Sequence, residues 1–142
     1  MRLKGRKVVG GYAEGEAIVS KDPVSFYGGV DPETGVVTEP GHALEGRSIS
    51  GKVFVFPTGK GSTVGSYVIY RMKKLGTAPA ALVNVETESI IATGCVISGI
   101  PLVDKLDTDP VETLKDGMLL RVRADEGVVE VAGLTTARIL MV

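Results

Sequence analysis

The chain has 142 residues with 44% hydrophobic and 23% charged positions, the balance of one soluble globular domain rather than a disordered segment. A formal net charge of −1, scattered Lys and Arg, no Trp and only 5% aromatic residues disfavour a nucleic-acid partner. One cysteine (Cys95) and one histidine (His42) exclude an internal disulfide and any Cys/His metal site within the chain.

No apolar run is long enough for a membrane span. The basic start Met1–Lys7 is followed by an apolar segment broken at Gly10 and Gly11, which is not a signal-peptide pattern, so the expected location is the cytoplasm. With 19 glycines and seven prolines, the chain promises tight turns and short strands. Glu16–Ser20 reads as a first strand, closed by Lys21-Asp22-Pro23. Phe26–Val37 holds two turn signals around a few apolar residues. Ser48–Phe56 reads as a strand whose apolar end, Val53–Phe56, suits burial on both faces.

After Pro57 the period changes. Val64, Val68, Met72 and Leu75 fall on one helical face, with Ser62 or Thr63 as N-cap, Lys73 and Lys74 near the C-terminal end, and Gly76 at C′. Ala80–Val85 follows as a buried strand, completing a β-α-β unit with an expected right-handed crossover. Glu86-Thr87-Glu88 reads as the cap of a short helix, Glu88–Thr93, stopped by Gly94. Cys95–Ile97 and Leu102–Val103 read as short strands, with Cys95 a buried small hydrophobe. Met118–Ala124 and Val128–Ala132 form a hairpin around Asp125-Glu126-Gly127, and an apolar tail runs from Leu134 to Val142.

The informative stretch is Pro57-Thr58-Gly59-Lys60-Gly61-Ser62-Thr63-Val64-Gly65-Ser66, between a buried strand and an amphipathic helix. Such a loop lets backbone N–H groups approach an anion, with Lys60 adding charge. It is neither a Walker A loop nor a Rossmann fingerprint. Spacing alone favours a plain turn with Ser62 as cap. Serine hydrolase chemistry would need His42, which reads as a surface loop residue. Gly28-Gly29-Val30-Asp31-Pro32 reads as a turn, though two Gly-rich loops could wall one cleft.

Four motifs occur in order: Gly28-Gly29-Val30-Asp31-Pro32 with Gly35; Pro57 with Gly59-Lys60-Gly61-Ser62-Thr63 and Ser66; Ala78-Pro79-Ala80-Ala81; and Gly99-Ile100-Pro101-Leu102-Val103. Together, over roughly Gly10 to Ala132, they resemble the small subunit of the aconitase X family. The resemblance implies an α/β fold: one swivelling β/β/α barrel-like domain over 1–142, with many short strands and two main helices. Its core would run from about 10 to 132, followed by the apolar tail 133–142. It also implies a large subunit that carries an iron–sulfur cluster, which a chain with one cysteine cannot hold.

In that family the complex dehydrates mevalonate 5-phosphate to trans-anhydromevalonate 5-phosphate, and the serine that accepts the proton falls on Ser62. Substrate binding then falls to Lys60, Gly61, Thr63, Gly28 and Gly29. Ordinary aconitases place arginines near their serine; none flanks Ser62, which leaves Lys60 as the cation to stabilise its alkoxide. A related dehydratase acting on cis-3-hydroxy-L-proline, and a non-catalytic swivelling or binding domain, are the alternatives.

Overall fold

The computed structural model describes residues 1–134. In chain order it runs β1 (Arg2–Lys4), β2 (Arg6–Val9), β3 (Tyr12–Val19), the helical turn α1 (Phe26–Gly29) and β4 (Val53–Phe56). Then come α2 (Gly65–Leu75), β5 (Ala81–Asn84), α3 (Ser89–Ser98), β6 (Leu102–Asp104), the turn α4 (Pro110–Thr113), β7 (Met118–Arg123) and β8 (Val128–Leu134).

The eight strands form one sheet in the order β1-β8-β7-β3-β4-β5-β6-β2. Its centre, β3 to β6, is parallel, and its flanks are antiparallel. Strand β3 joins the two halves by changing partner along its length. Residues 12–16 pair with β7 and residues 17–19 with β4. The two edge strands, β1 and β2, are separated in the chain by Gly5 alone. The sheet must therefore curl until its edges meet, which gives the expected barrel-like shape. Gly5 fits the seam because a β-carbon there would lie 2.4 Å from Asp104 O.

Side-chain alternation then builds two cores. Val53, Val55, Ala81, Val83 and Val103 point to the barrel side, with Leu120, Val122 and Val129. Phe54, Phe56, Leu82 and Leu102 point the other way, onto Phe26, Ile69, Met72 and Ile91 of the helical layer. Phe26, Phe54 and Phe56 meet there with ring centroids 4.4 to 6.5 Å apart. Val53–Phe56 is buried at every position, as its unbroken apolar run predicts.

Several sequence expectations need correction. The sheet starts at Arg2 and Leu3 lies in the core, ahead of Gly10. Ser48–Lys52 is not strand; only Val53–Phe56 is. Helix α2 is present and ends at Gly76 in the left-handed region, with Lys73 and Lys74 in its last turn. Its buried face, however, is Gly65, Ser66, Ile69 and Met72, while Val64 and Leu75 are exposed. Helix α3 passes through Gly94 and stops at Gly99, so Cys95–Ile97 is helical rather than strand. Gly94 is there for packing: a β-carbon would lie 2.6 Å from Ile69 Cδ1 of α2. Of the tail, only Gly133 and Leu134 fall within the described residues.

Candidate active site

Strands β4, β5 and β6 end side by side at Phe56, Asn84 and Asp104. In open parallel sheets, the crevice beyond these carboxyl ends is where ligands bind. Here a polar network ties the three ends together. Asn84 Nδ2 donates to Phe56 O at 3.1 Å, and Thr87 Oγ1 donates to Asn84 Oδ1 at 3.3 Å. The Thr87 N–H donates to Asp104 Oδ2 at 2.9 Å, and Arg6 forks onto both Asp104 oxygens at 2.8 and 2.9 Å. Burial pushes the Asp104 carboxyl up, but the Arg6 and Thr87 hydrogen bonds outweigh it and hold the group below its ordinary value. Pro57 O accepts the N–H groups of Val85 and Glu86, so the same network anchors the start of the Gly-rich loop.

The loop is fixed again further on. Val24 lies parallel to it, donating to Thr58 O and accepting from the Lys60 N–H. At Gly59 a β-carbon would meet Glu88 Oε1 at 2.3 Å. Glu88 in turn caps α3, accepting the N–H groups of Ile90 and Ile91 at 2.9 and 2.8 Å, so the acidic cap read from the sequence is present. Gly61 sits at φ +90°, where a β-carbon would lie 2.3 Å from Ser25 Oγ. The two glycines thus let the backbone run against two other segments.

Ser62 and Thr63 do not stand at the helix cap. The N-cap residue of α2 is Val64, and a turn precedes it in which Ser62 O accepts the Gly65 N–H at 2.9 Å. Ser62 Oγ is exposed and accepts the Val64 N–H at 3.2 Å. The first-turn N–H groups of Gly65, Ser66 and Tyr67 are also used, by the carbonyls of residues 62 to 64. One step earlier in the loop, the N–H groups of Gly61, Ser62 and Thr63, like those of Thr58 and Gly59, have no partner among the described residues. Successive free N–H groups of this kind form a concavity suited to an anion.

The second Gly-rich turn faces this loop. Gly29 O accepts the Thr38 N–H, and the Glu39 carboxylate lies 3.4 Å from the place of a Gly29 β-carbon. Glu39 Oε2 also accepts Lys60 Nζ at 3.0 Å. Gly28, Gly29, Lys60 and Gly61 are therefore brought to one place, with Ser62 and Thr63 beside them. Ser25, Glu39 and Glu88 belong to the same cluster; no motif announced Ser25 or Glu39, and Glu88 was read only as a helix cap, because each arrives from a segment remote in sequence.

The lone histidine lies elsewhere in role. His42 is buried, not surface-exposed: Nδ1 accepts the Leu44 N–H and Nε2 donates to Pro23 O, both at 3.0 Å. Both ring nitrogens are committed to the backbone, which leaves no base for Ser62 from this chain's imidazole. Cys95 is buried in α3, and burial pushes its thiol up to about 12. Such a thiol does not present the thiolate that an iron–sulfur cluster needs, and no group of three or more His, Cys, Asp or Glu among the described residues could hold a metal. No helix among the described residues is long and apolar enough to cross a membrane.

Residues 2–131 match the aconitase X swivel domain family. The chain belongs to that family. It is 61% identical to the phosphomevalonate dehydratase small subunit of Thermococcus onnurineus, over 92% of this chain and 98% of that one. It is 58% identical to the protein of the same name from Methanosarcina acetivorans, over 92% and 90%. The fold superposes on the crystal structure of Thermococcus kodakaraensis aconitase X, holo-form, with a TM-score of 0.88 at 60% identity, covering 92% of this chain and 98% of that one. For this swivel domain, the site geometry places the Ser62 loop at the carboxyl edge of the parallel strands.

Proposed function

We propose that this chain is the small subunit of a dehydratase acting on mevalonate 5-phosphate, and that Ser62 accepts the proton. The reading rests on the high identity to relatives bearing that name over nearly the whole length of both chains. Dehydration takes a proton from one carbon and a hydroxyl from its neighbour, and the C–H electron pair becomes the double bond. A serine oxygen can take that proton only where negative charge on it is stabilised. Ser62 Oγ is exposed and already accepts an N–H from Val64, and Lys60, two residues before it in the same loop, holds its ammonium against Glu39 at 3.0 Å. Gly61, Thr63 and the Gly28–Gly29 turn supply the wall against which the phosphorylated substrate rests.

An iron–sulfur cluster has no fitting ligands in this chain, and we assign it to the large subunit. The partner also supplies the remainder of the pocket. The deciding experiment reconstitutes the full chain with its large subunit and follows loss of water from mevalonate 5-phosphate and from cis-3-hydroxy-L-proline. Turnover of the phosphate ester alone is expected, falling by about 10² to 10⁴ in Ser62→Ala while substrate still binds. Turnover of the imino acid instead, or a Ser62→Ala complex of full activity, overturns the substrate or the base respectively.

A further inference from the structure

Helix α3, Ser89 to Ser98, carries no charged residue. A solvated helix face normally carries charged side chains, and the exposed positions of α3 are only Ser89, Thr93, Val96 and Ile97. Its inner face is covered, by Ile91, Gly94 and Cys95 packing inward. Its outer face is not: Val96 is 63% and Ile97 46% exposed. The neighbouring helix α2 adds Val64 and Tyr67, the latter 69% exposed. Between the helices runs a groove of about 340 Å³ lined by Thr63, Val64, Tyr67, Ile90, Thr93 and Ile97, among others, with no charged side chain in its lining.

The opposite side of the molecule differs. There β3, β7 and β8 present Glu14, Arg121, Arg123 and Glu130, which pair with one another as a solvated face does. The uncharged groove opens at Thr63, one residue from Ser62. A proton acceptor must meet its substrate in a space closed to water, and for a small subunit the closing wall belongs to the other chain. We propose that the α2–α3 groove is where the large subunit docks, through an uncharged apolar segment, so that the seam between the chains continues from this groove into the Ser62 loop. This rests on the two-subunit reading above.

The test measures affinity of the full chain for its large subunit, with Ile97→Asp and Tyr67→Asp as probes. Both side chains are exposed, and unchanged circular dichroism and unfolding midpoints confirm intact folds. Each substitution is expected to weaken binding by at least about thirtyfold, as loss of a buried interface anchor does. Tyr12→Asp on β3, exposed on the charged side, should leave it unchanged. If the unaltered chain captures no large subunit, the two-subunit reading falls, and this inference with it. If it binds and both probes bind as tightly, the inference alone is overturned. Loss of self-association in the free chain with unaltered large-subunit binding would identify a second copy as the occupant, and would overturn it equally.

Discussion

Gly61 and Ser25 stand so close that a β-carbon on Gly61 would lie 2.3 Å from Ser25 Oγ and 3.1 Å from Ser25 Cβ. This contact joins the Gly-rich loop to the segment leading into the Phe26–Gly29 turn. Ser25 Oγ is itself engaged, donating to Tyr27 O at 2.9 Å. Gly61→Ala therefore meets two obstacles, positive φ and an occupied space. Gly28, at φ +83°, has nothing within 4 Å and meets only the first. Gly28→Ala should cost about 1 kcal/mol, and Gly61→Ala about 2–3 kcal/mol with a displaced loop and reduced turnover. Urea unfolding of both variants checks the order; equal costs would mean that the loop yields freely.

Gly94 carries a second prediction, with an unusual sign. Replacing a mid-helix glycine by alanine ordinarily stabilises by about 1 kcal/mol. Here the added carbon would lie 2.6 Å from Ile69 Cδ1 and 3.1 Å from Ile69 Cβ, so α2 and α3 must part. Gly94→Ala should destabilise by about 1–3 kcal/mol, the range for overpacking. Ile69→Val removes the nearest atom and should recover part of the loss in the double variant. Thermal unfolding of the four proteins in that cycle reads the coupling directly.

The same glycine shows where sequence reasoning reached its limit. A glycine after Ile90-Ile91-Ala92-Thr93 reads as a stop, because the local code carries no record of the helix across from it. Strands β1 and β2 escaped for a similar reason. Arg2-Leu3-Lys4 and Arg6–Val9 are short and charged, and they pair with the far end of the chain, Arg2 with Glu130 and Arg6 with Asp104. What depends on local pattern was legible: the buried run Val53–Phe56, helix α2 with Gly76 at its end, and the hairpin of β7 and β8. The Ser62 loop was legible too, since strand, glycines and helix follow one another in sequence. Its supports Ser25 and Glu39 were not, because tertiary contact alone selects them, and Glu88 was legible as the cap of α3 but not as a neighbour of Gly59.

Asp104 predicts a pH dependence. Its folded carboxyl titrates below the ordinary 3.8, so the unfolded chain binds its proton first. Its contribution to stability is complete above that value, shrinks as pH falls through the lower folded value, and is gone below both. Asp104→Asn keeps an acceptor for the Thr87 N–H but loses the charge opposite Arg6. The variant should be less stable by about 1–3 kcal/mol at pH 7. The gap to the unaltered protein should close as pH is lowered below about 4. Denaturant midpoints across pH 2.5–7 give the test, and a gap independent of pH would remove the ion pair as its cause.

The Lys60–Glu39 pair makes the last prediction, because it asks which anion Lys60 serves. The pair is partly exposed, with Lys60 Nζ 3.0 Å from Glu39 Oε2, so it should contribute no more than about 1 kcal/mol to folding. Lys60→Ala should therefore leave the unfolding midpoint nearly unmoved. If Lys60 holds the substrate phosphate, the variant raises KM by about ten- to a hundredfold, the value of one charge-assisted hydrogen bond, with kcat little changed. If it stabilises charge on Ser62 Oγ during proton transfer, kcat falls by a similar factor and KM holds. Glu39→Gln separates both from a purely structural pair. Removing the competing carboxylate leaves Lys60 more available, so KM or kcat should improve or hold; a loss matching that of Lys60→Ala would show that the two residues act only to brace the loops.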